Sequence, residues 1–283
     1  GGALVQAGGA VDDRAGFLFF YRQNIMSESL KGKRVLVTAG AQGIGLAIAK
    51  KFLAAGADVH ICDVDEAAVK AAAALSPRLS ASMTDVSREA EVLAMFADLA
   101  KRWGRLDALV NNAGVAGPTC RLEEIALDAW QKTLDVNLTG TFLCARSAVP
   151  LLREAGGGAI VNISSVAGRL GFSLRTPYSA TKFGLAGLTQ TWAMELGPDN
   201  IRVNSVLPGV VAGERVERII AARAEAGGVS HEEMRMRLVD KVSLRRMTQP
   251  EDVANQVAFL CSDEGAMVSG QSISVCGNVE YLG

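Results

Sequence analysis

From Lys33 onward, short apolar runs rich in β-branched residues alternate with segments whose apolar residues recur about every four positions. That alternation restricts the chain to one architecture. Arg34 to Thr38 reads as a buried strand, and Ile44, Ile48, Phe52 and Ala55 mark the helix after it. Further strands are expected at 58–62, 79–83, 106–110, 159–164, 201–207 and 272–275. Between them come helical patterns at 66–75, 88–103, 123–155 with a weak break near Asn137, 177–196 and 250–261. Strands alternating with helices imply a parallel sheet covered on both faces, and right-handed crossovers make it doubly wound. The expected fold is a single α/β domain, a doubly wound parallel sheet flanked by helices.

Composition agrees and excludes other classes. Of 283 residues 49% are hydrophobic and 21% charged, enough for a large core. A formal net charge of −1 gives no basic field for nucleic acid or an anionic membrane surface. No run of 18 apolar residues is present to span a bilayer. Cys62, Cys120, Cys144, Cys261 and Cys276 have no metal-ligand or CxxC spacing and read as reduced thiols of a cytoplasmic protein. With only His60 and His231, no His-rich metal site is expected. His60 reads as a core or sheet-edge residue. Residues 1–25, with an aromatic patch at 17–21, read as an extension before a start at Met26, or as an arm packing on a neighbouring subunit.

After the first strand comes the turn from Thr38 through Gly40, Gln42, Gly43, Ile44 and Gly45 into a helix. Glycines let backbone approach a pyrophosphate, and the helix N-terminus offers free N–H groups and a positive dipole end. Strand before and helix after make the cluster a dinucleotide signature. Asp63 ends the second strand, 18 residues after Gly45. A carboxylate there accepts from both ribose hydroxyls and repels a 2′-phosphate, and no Arg or Lys flanks it, so NAD is expected over NADP. Asp65 and Glu66 are available to start the next helix, which leaves Asp63 for the cofactor.

Tyr178 and Lys182 lie one helical turn apart, on one face, and Ser165 ends the fifth strand 13 residues before Tyr178. A phenol is a poor base at neutral pH, and a neighbouring ammonium favours its anion. Ser165 can hold a substrate oxygen.

With these motifs, Asp85-Val86, Asn111 to Gly114, Asn137 and Pro208-Gly209, the chain resembles the short-chain dehydrogenase/reductase family over about Leu30 to Gly277. The resemblance implies a Rossmann-like fold and a hydride-transferring oxidoreductase. Tyr178 would be the general acid/base, Lys182 would bind the nicotinamide ribose, Ser165 would orient substrate, and Asn137 would hold a relay water. It places Asp85 and Val86 at the adenine, Asn112, Ala113 and Gly114 beside the adenosine ribose, and Pro208, Gly209 and Val211 at the nicotinamide. It also implies a homotetramer. Three departures stand out: Ala39 where the family has glycine, Gly213 where it has threonine, and Cys276-Gly277-Asn278 for Asp-Gly-Gly.

The charged segment 212–245 is expected to cover the substrate. Its arginines pair with glutamates in a solvated lid, or one or two of them bind a substrate carboxylate. Arg169 and Arg175, between Ser165 and Tyr178, could do the same, which fits a sugar acid or other small hydroxy acid. Against this, Val115, Leu170, Phe172, Val210, Val211 and Met267 would line an apolar pocket for a ketone, a steroid-like alcohol or a 3-oxoacyl thioester. A serine hydrolase is disfavoured, because Ser164 and Ser165 lack the G-x-S-x-G elbow. A non-catalytic NAD sensor would lack Tyr178 or Lys182, and both are present.

Overall fold

The computed structural model describes residues 28–282, apart from the side chains of Arg215, Arg223 and Ala226, so the expectations for 1–25 and Met26 lie outside it. Seven strands form one parallel sheet in the order β3-β2-β1-β4-β5-β6-β7. They are β1 (Arg34–Thr38), β2 (Asp58–Asp63), β3 (Leu79–Met83), β4 (Ala108–Asn111), β5 (Gly158–Ile163), β6 (Ile201–Pro208) and β7 (Ser272–Val275). The strand order reverses between β1 and β4, whose register pairs Val35 with Ala108 and Val37 with Val110. Ligands of such sheets bind in the crevice at the carboxyl ends of the strands at that switch point.

Both faces of the sheet are covered. On one, Val35, Val37, Val59 and Ile61 pack against Ile48 and Phe52 of α1 (Gly43–Ala54) and Val253 and Val257 of α9 (Pro250–Cys261). On the other, Leu36, Leu109 and Ile160 pack against Phe96 and Leu99 of α3 (Glu89–Trp103) and Leu143 and Leu152 of α5 (Gly140–Glu154). Burying each such side chain contributes about 1.5–3 kcal/mol. Strands sandwiched this way read as continuous apolar runs, which is why their pattern is visible in sequence. The remaining helices are α2 (Glu66–Ala73), α4 (Leu127–Leu134), α6 (Thr176–Leu196), α7 (Glu214–Gly227) and α8 (His231–Val239).

One strand boundary needs correction, and two expectations gain detail. The fourth strand starts at Ala108, not Leu106, whose amide donates to Leu151 O at 3.0 Å. The break near Asn137 is a π-turn at Asp135–Thr139 joining α4 to α5, which aims Asn137 inward where it is 1% exposed. His60 sits inside the sheet, on β2 between β1 and β3, and not at an edge. Its ring nitrogens bond Ser80 Oγ at 2.8 Å and Ser82 Oγ at 3.1 Å. Burial, then the Arg102 charge, lowers its pKa to about 4, so it is neutral at physiological pH.

Candidate active site

The switch point is closed by Thr38. Its buried Oγ1 accepts from Asn112 N at 2.9 Å and Ala113 N at 3.0 Å, joining the end of β1 to the end of β4. The Asn112 side chain donates to Thr38 O and Ala39 O at 3.1 and 2.9 Å. A Cβ on Gly45 would lie 2.1 Å from Ala39 O, and one on Gly40 2.6 Å from the Ile61 side chain. Gly43, at φ +52°, has nothing within 4 Å of its Cβ position. Above this tight bend the N-terminus of α1 has no side-chain cap and no acid in its first turn. The cradle therefore suits a pyrophosphate.

Asp63 is more engaged than its sequence position implied. Its Oδ2 accepts from Ala41 N at 3.2 Å and its Oδ1 from Val64 N at 2.8 Å, so it braces the turn. Asp65 does cap α2, accepting from Ala68 N at 3.0 Å. At the ends of β2 and β3 a cleft is lined by Val64, Met83, Thr84, Asp85, Arg88 and Glu91. Asp85 Oδ1 accepts from Ser87 N and Oγ at 3.0 and 2.6 Å. Val86 is buried, with its side chain against Gly140 of α5.

The residues expected to be catalytic converge from three elements. Pro177 occupies the first turn of α6, where its missing N–H costs little, and the helix carries Tyr178 and Lys182 on one face. Lys182 is 5% exposed; its Nζ donates to Ile163 O at 2.9 Å and lies 5.6 Å from the Tyr178 ring centroid. A Cβ on Gly114 would sit 3.4 Å from Asn137 Oδ1 and 3.5 Å from Lys182 Nζ, which places the three side by side. Asn137 Oδ1 accepts from Val115 N at 2.8 Å, while its Nδ2 donates to Val115 O and Thr181 Oγ1, both at 3.0 Å. The Ser165 turn is docked on α6: Ser164 Oγ donates to Lys182 O at 2.9 Å, and a Cβ on Gly168 would meet that carbonyl at 2.5 Å. Ser165 is half-buried, and its Oγ accepts from Ala167 N at 3.1 Å.

Two residues not singled out by sequence reasoning complete the assembly. Thr181 bridges the Asn137 amide and the Tyr178 carbonyl, to which it donates at 2.8 Å. Thr38 fixes the switch point. Each lay inside a motif already noted, but hydroxyls in motifs are common and carry no distinguishing period.

Residues 38–278 match the family described as enoyl-(acyl carrier protein) reductase. A cis-4-hydroxycyclohexanecarboxylate dehydrogenase of Sinomonas cyclohexanicum is 36% identical over 255 residues, 89% of this chain and 98% of that one. The chain belongs to the short-chain dehydrogenase/reductase family. Another member, a 3alpha-hydroxysteroid dehydrogenase of Mediterraneibacter gnavus, is 36% identical over 88% of this chain and 97% of its own. Among solved short-chain dehydrogenase/reductase structures, an NAD+-bound xylitol dehydrogenase superposes with TM-score 0.83 at 27% identity, covering 88% of this chain and 99% of that one. An actinorhodin polyketide ketoreductase variant with NADPH gives TM-score 0.83 at 33% identity, covering 88% and 97%. The chain is accordingly an oxidoreductase.

Arg175 Nη1 donates to Thr119 Oγ1 at 2.8 Å and Nη2 to Ala116 O at 2.7 Å. Its guanidinium lies 5.4 Å from the Tyr178 ring centroid and 5.6 Å from that of Phe172. Arg169 is exposed on the turn after Ser165. In segment 212–245, Arg235 and His231 both contact the Glu217 carboxylate, at 2.6 and 3.2 Å, and Arg237 pairs with Glu233 at 2.8 Å. Those ion pairs join the two helices through Glu217 and brace α8 along its own length. Val211 bridges to Thr248, and Gly209 packs on Cys276 at the edge of the site.

Proposed function

We propose that this chain interconverts a secondary alcohol and a ketone with NAD, Tyr178 exchanging the hydroxyl proton. The observation that carries the reading is the buried Lys182 ammonium held beside the Tyr178 ring and the Asn137 amide. When bound, the dinucleotide supplies the hydride acceptor or donor. Gly40, Gln42, Gly43, Ile44 and Gly45 would hold its pyrophosphate. Asp63, Asp85, Val86 and Asn112 to Gly114 would border the adenosine, and Pro208, Gly209 and Val211 the nicotinamide. Ser165 Oγ orients the substrate oxygen, Tyr178 takes or gives its proton, and Asn137 would hold a water that links Lys182 to solvent as a proton relay. NAD is favoured because a carboxylate, Asp63, ends β2, where it would accept from the ribose hydroxyls and repel a 2′-phosphate, and Ala41, Gln42 and Val64 bring no cation to one.

The substrate reading is a small hydroxy acid, sugar acids included. Segments 111–121 and 164–182 carry Arg121, Arg169, Arg175 and Lys182 and no Asp or Glu. A cleft lined by one sign of charge concentrates the opposite charge. A relative is named as a dehydrogenase of a hydroxycyclohexanecarboxylate, which is an acid. The second reading, an apolar alcohol, ketone or 3-oxoacyl thioester, is supported by Val115, Leu170, Phe172, Val210 and Val211 near the site and by relatives named as hydroxysteroid dehydrogenases and an oxoacyl reductase.

Segment 212–245 serves as the lid in this proposal, and a cytoplasmic homotetramer is the working state. Five free thiols, four of them buried, suit a reducing compartment. Phe142 on α5 with Phe183 and Met194 on α6 are exposed apolar side chains suited to subunit contact. Among the described residues no helix is long and apolar enough to cross a membrane.

The test is NAD reduction by the purified protein over sugars, sugar acids, hydroxy acids and apolar secondary alcohols, with NADP in parallel and Tyr178→Phe as control. Tyr178→Phe is expected to abolish turnover and spare cofactor binding; wild-type rates in that variant reject the acid/base role. Turnover confined to acids, with Arg175→Met raising KM about tenfold, the worth of one charge-assisted bond, supports the carboxylate. Turnover on neutral apolar alcohols replaces it with the second reading.

A further inference from the structure

The chain after β7 departs from the family pattern, and its geometry is specific. Gly277 and Asn278 both have φ +60°, so consecutive left-handed residues reverse the backbone. A Cβ on Gly277 would meet Val242 at 2.8 Å. The reversed tail zips onto the end of the lid: Ser243 N donates to Asn278 O at 3.0 Å, Leu244 N to Gly277 O at 3.1 Å and Glu280 N to Lys241 O at 3.0 Å. Side chains reinforce the pairing, with Asn278 Nδ2 donating to Ser243 Oγ at 2.8 Å and Ser243 Oγ to Glu280 Oε1 at 2.9 Å.

This tail also reaches the catalytic turn. Val279 and Cys276 are buried in one cluster with Val242 of the lid root and Val166, the residue after Ser165, while Leu170 and Leu282 pack against it. A Cβ on Gly209 would lie 2.8 Å from Cys276 Cβ and 3.1 Å from Val279 Cγ2, so the same residues back the β6 end. The Val166 carbonyl accepts from Arg169 N at 3.0 Å and Leu170 N at 2.9 Å, closing the turn that Ser165 begins. One small apolar cluster thus joins the Ser165 turn, the lid root and the β6 end, and cores of this kind transmit displacement because they have no slack.

We propose that the C-terminal segment 276–282 is a positioning element, with Val279 and Leu282 setting the Ser165 turn against the β6 end and the lid root. The kinetic part rests on the dehydrogenase reading above; the coupling itself does not. The experiment uses the full chain and its Leu282→Ala, Leu282→Met and Val279→Ala variants, followed by amide hydrogen exchange, cofactor titration and steady-state kinetics. Leu282→Ala is expected to speed exchange of the Gly168, Arg169, Leu170, Ser243 and Leu244 amides about tenfold without changing β1 or β4, as local opening requires. It lowers kcat about tenfold with cofactor Kd within about twofold, and Leu282→Met restores both exchange and kcat. Val279→Ala gives the same pattern, more strongly. Unchanged exchange at 168–170 in Leu282→Ala, or acceleration spread evenly over the sheet, overturns the proposal. If the wild-type chain oxidises no alcohol while exchange responds as stated, the coupling stands and only the dehydrogenase reading falls.

Discussion

The side-chain amide of Asn112 donates to the carbonyl of Ala39 at 2.9 Å, and Ala39 is held in the left-handed region at φ +47°. Here the family's usual glycine is replaced by a residue with a Cβ, and the bend is retained because Asn112 grips it and Gly45 leaves room for its carbonyl. A left-handed alanine costs about 1–2 kcal/mol. Glycine would relieve that at a smaller cost in unfolded-chain entropy. Ala39→Gly is therefore expected to raise stability by about 0.5–1 kcal/mol in urea unfolding. A destabilised variant would show that the bend stores no strain.

In the proposed reading Asp63 joins recognition to architecture, since its carboxylate braces Ala41 N and is assigned to the adenosine ribose. Asp63→Ala should weaken NAD about tenfold, the value of one charge-assisted hydrogen bond, while NADP changes little. Titration of both cofactors against the variant is the measurement. An unchanged ratio removes the specificity argument.

Asn137 is buried and satisfies both backbone groups of Val115. Asn137→Ala leaves a donor and an acceptor without partners, at about 1–3 kcal/mol each. The variant should melt several degrees lower and lose turnover far beyond its loss of folded protein. Full activity per folded molecule would assign Asn137 to structure alone.

His60 makes stability depend on pH. Burial lowers its pKa from 6.5 to about 4, so the unfolded chain takes up the proton first as pH falls. Its contribution is complete above pH 6.5 and is lost progressively toward pH 4, by on the order of 3 kcal/mol at most. Urea midpoints of wild type and His60→Gln between pH 7 and 4.5 should converge as the solution is acidified. Parallel curves would show that His60 is not the group responsible.

Much was legible in advance because periodicity and spacing are properties of the chain itself. Strands buried on both faces, helices with an apolar residue each turn, the glycine bend and a Tyr and Lys one turn apart can be read along the sequence. The π-turn at Asp135–Thr139 was visible only as a weak break, since one extra residue in a turn leaves the apolar period nearly intact. Asp63 was placed at the right strand end, yet its bond to Ala41 N depends on the fold of the bend.

By itself the sequence determined the layer architecture, the place of the glycine-rich bend between the first strand and helix, and the one-turn spacing of Tyr178 and Lys182. Only the tertiary structure decided that Lys182 is pinned to Ile163 O, that Thr181 links Asn137 to Tyr178, that Arg175 ties two loops above the Tyr178 ring, and that the tail meets the Ser165 turn. The physical reason is range. Patterns of burial are written locally, whereas a hydrogen bond between residues tens of positions apart exists only once strand register and helix docking have fixed both ends.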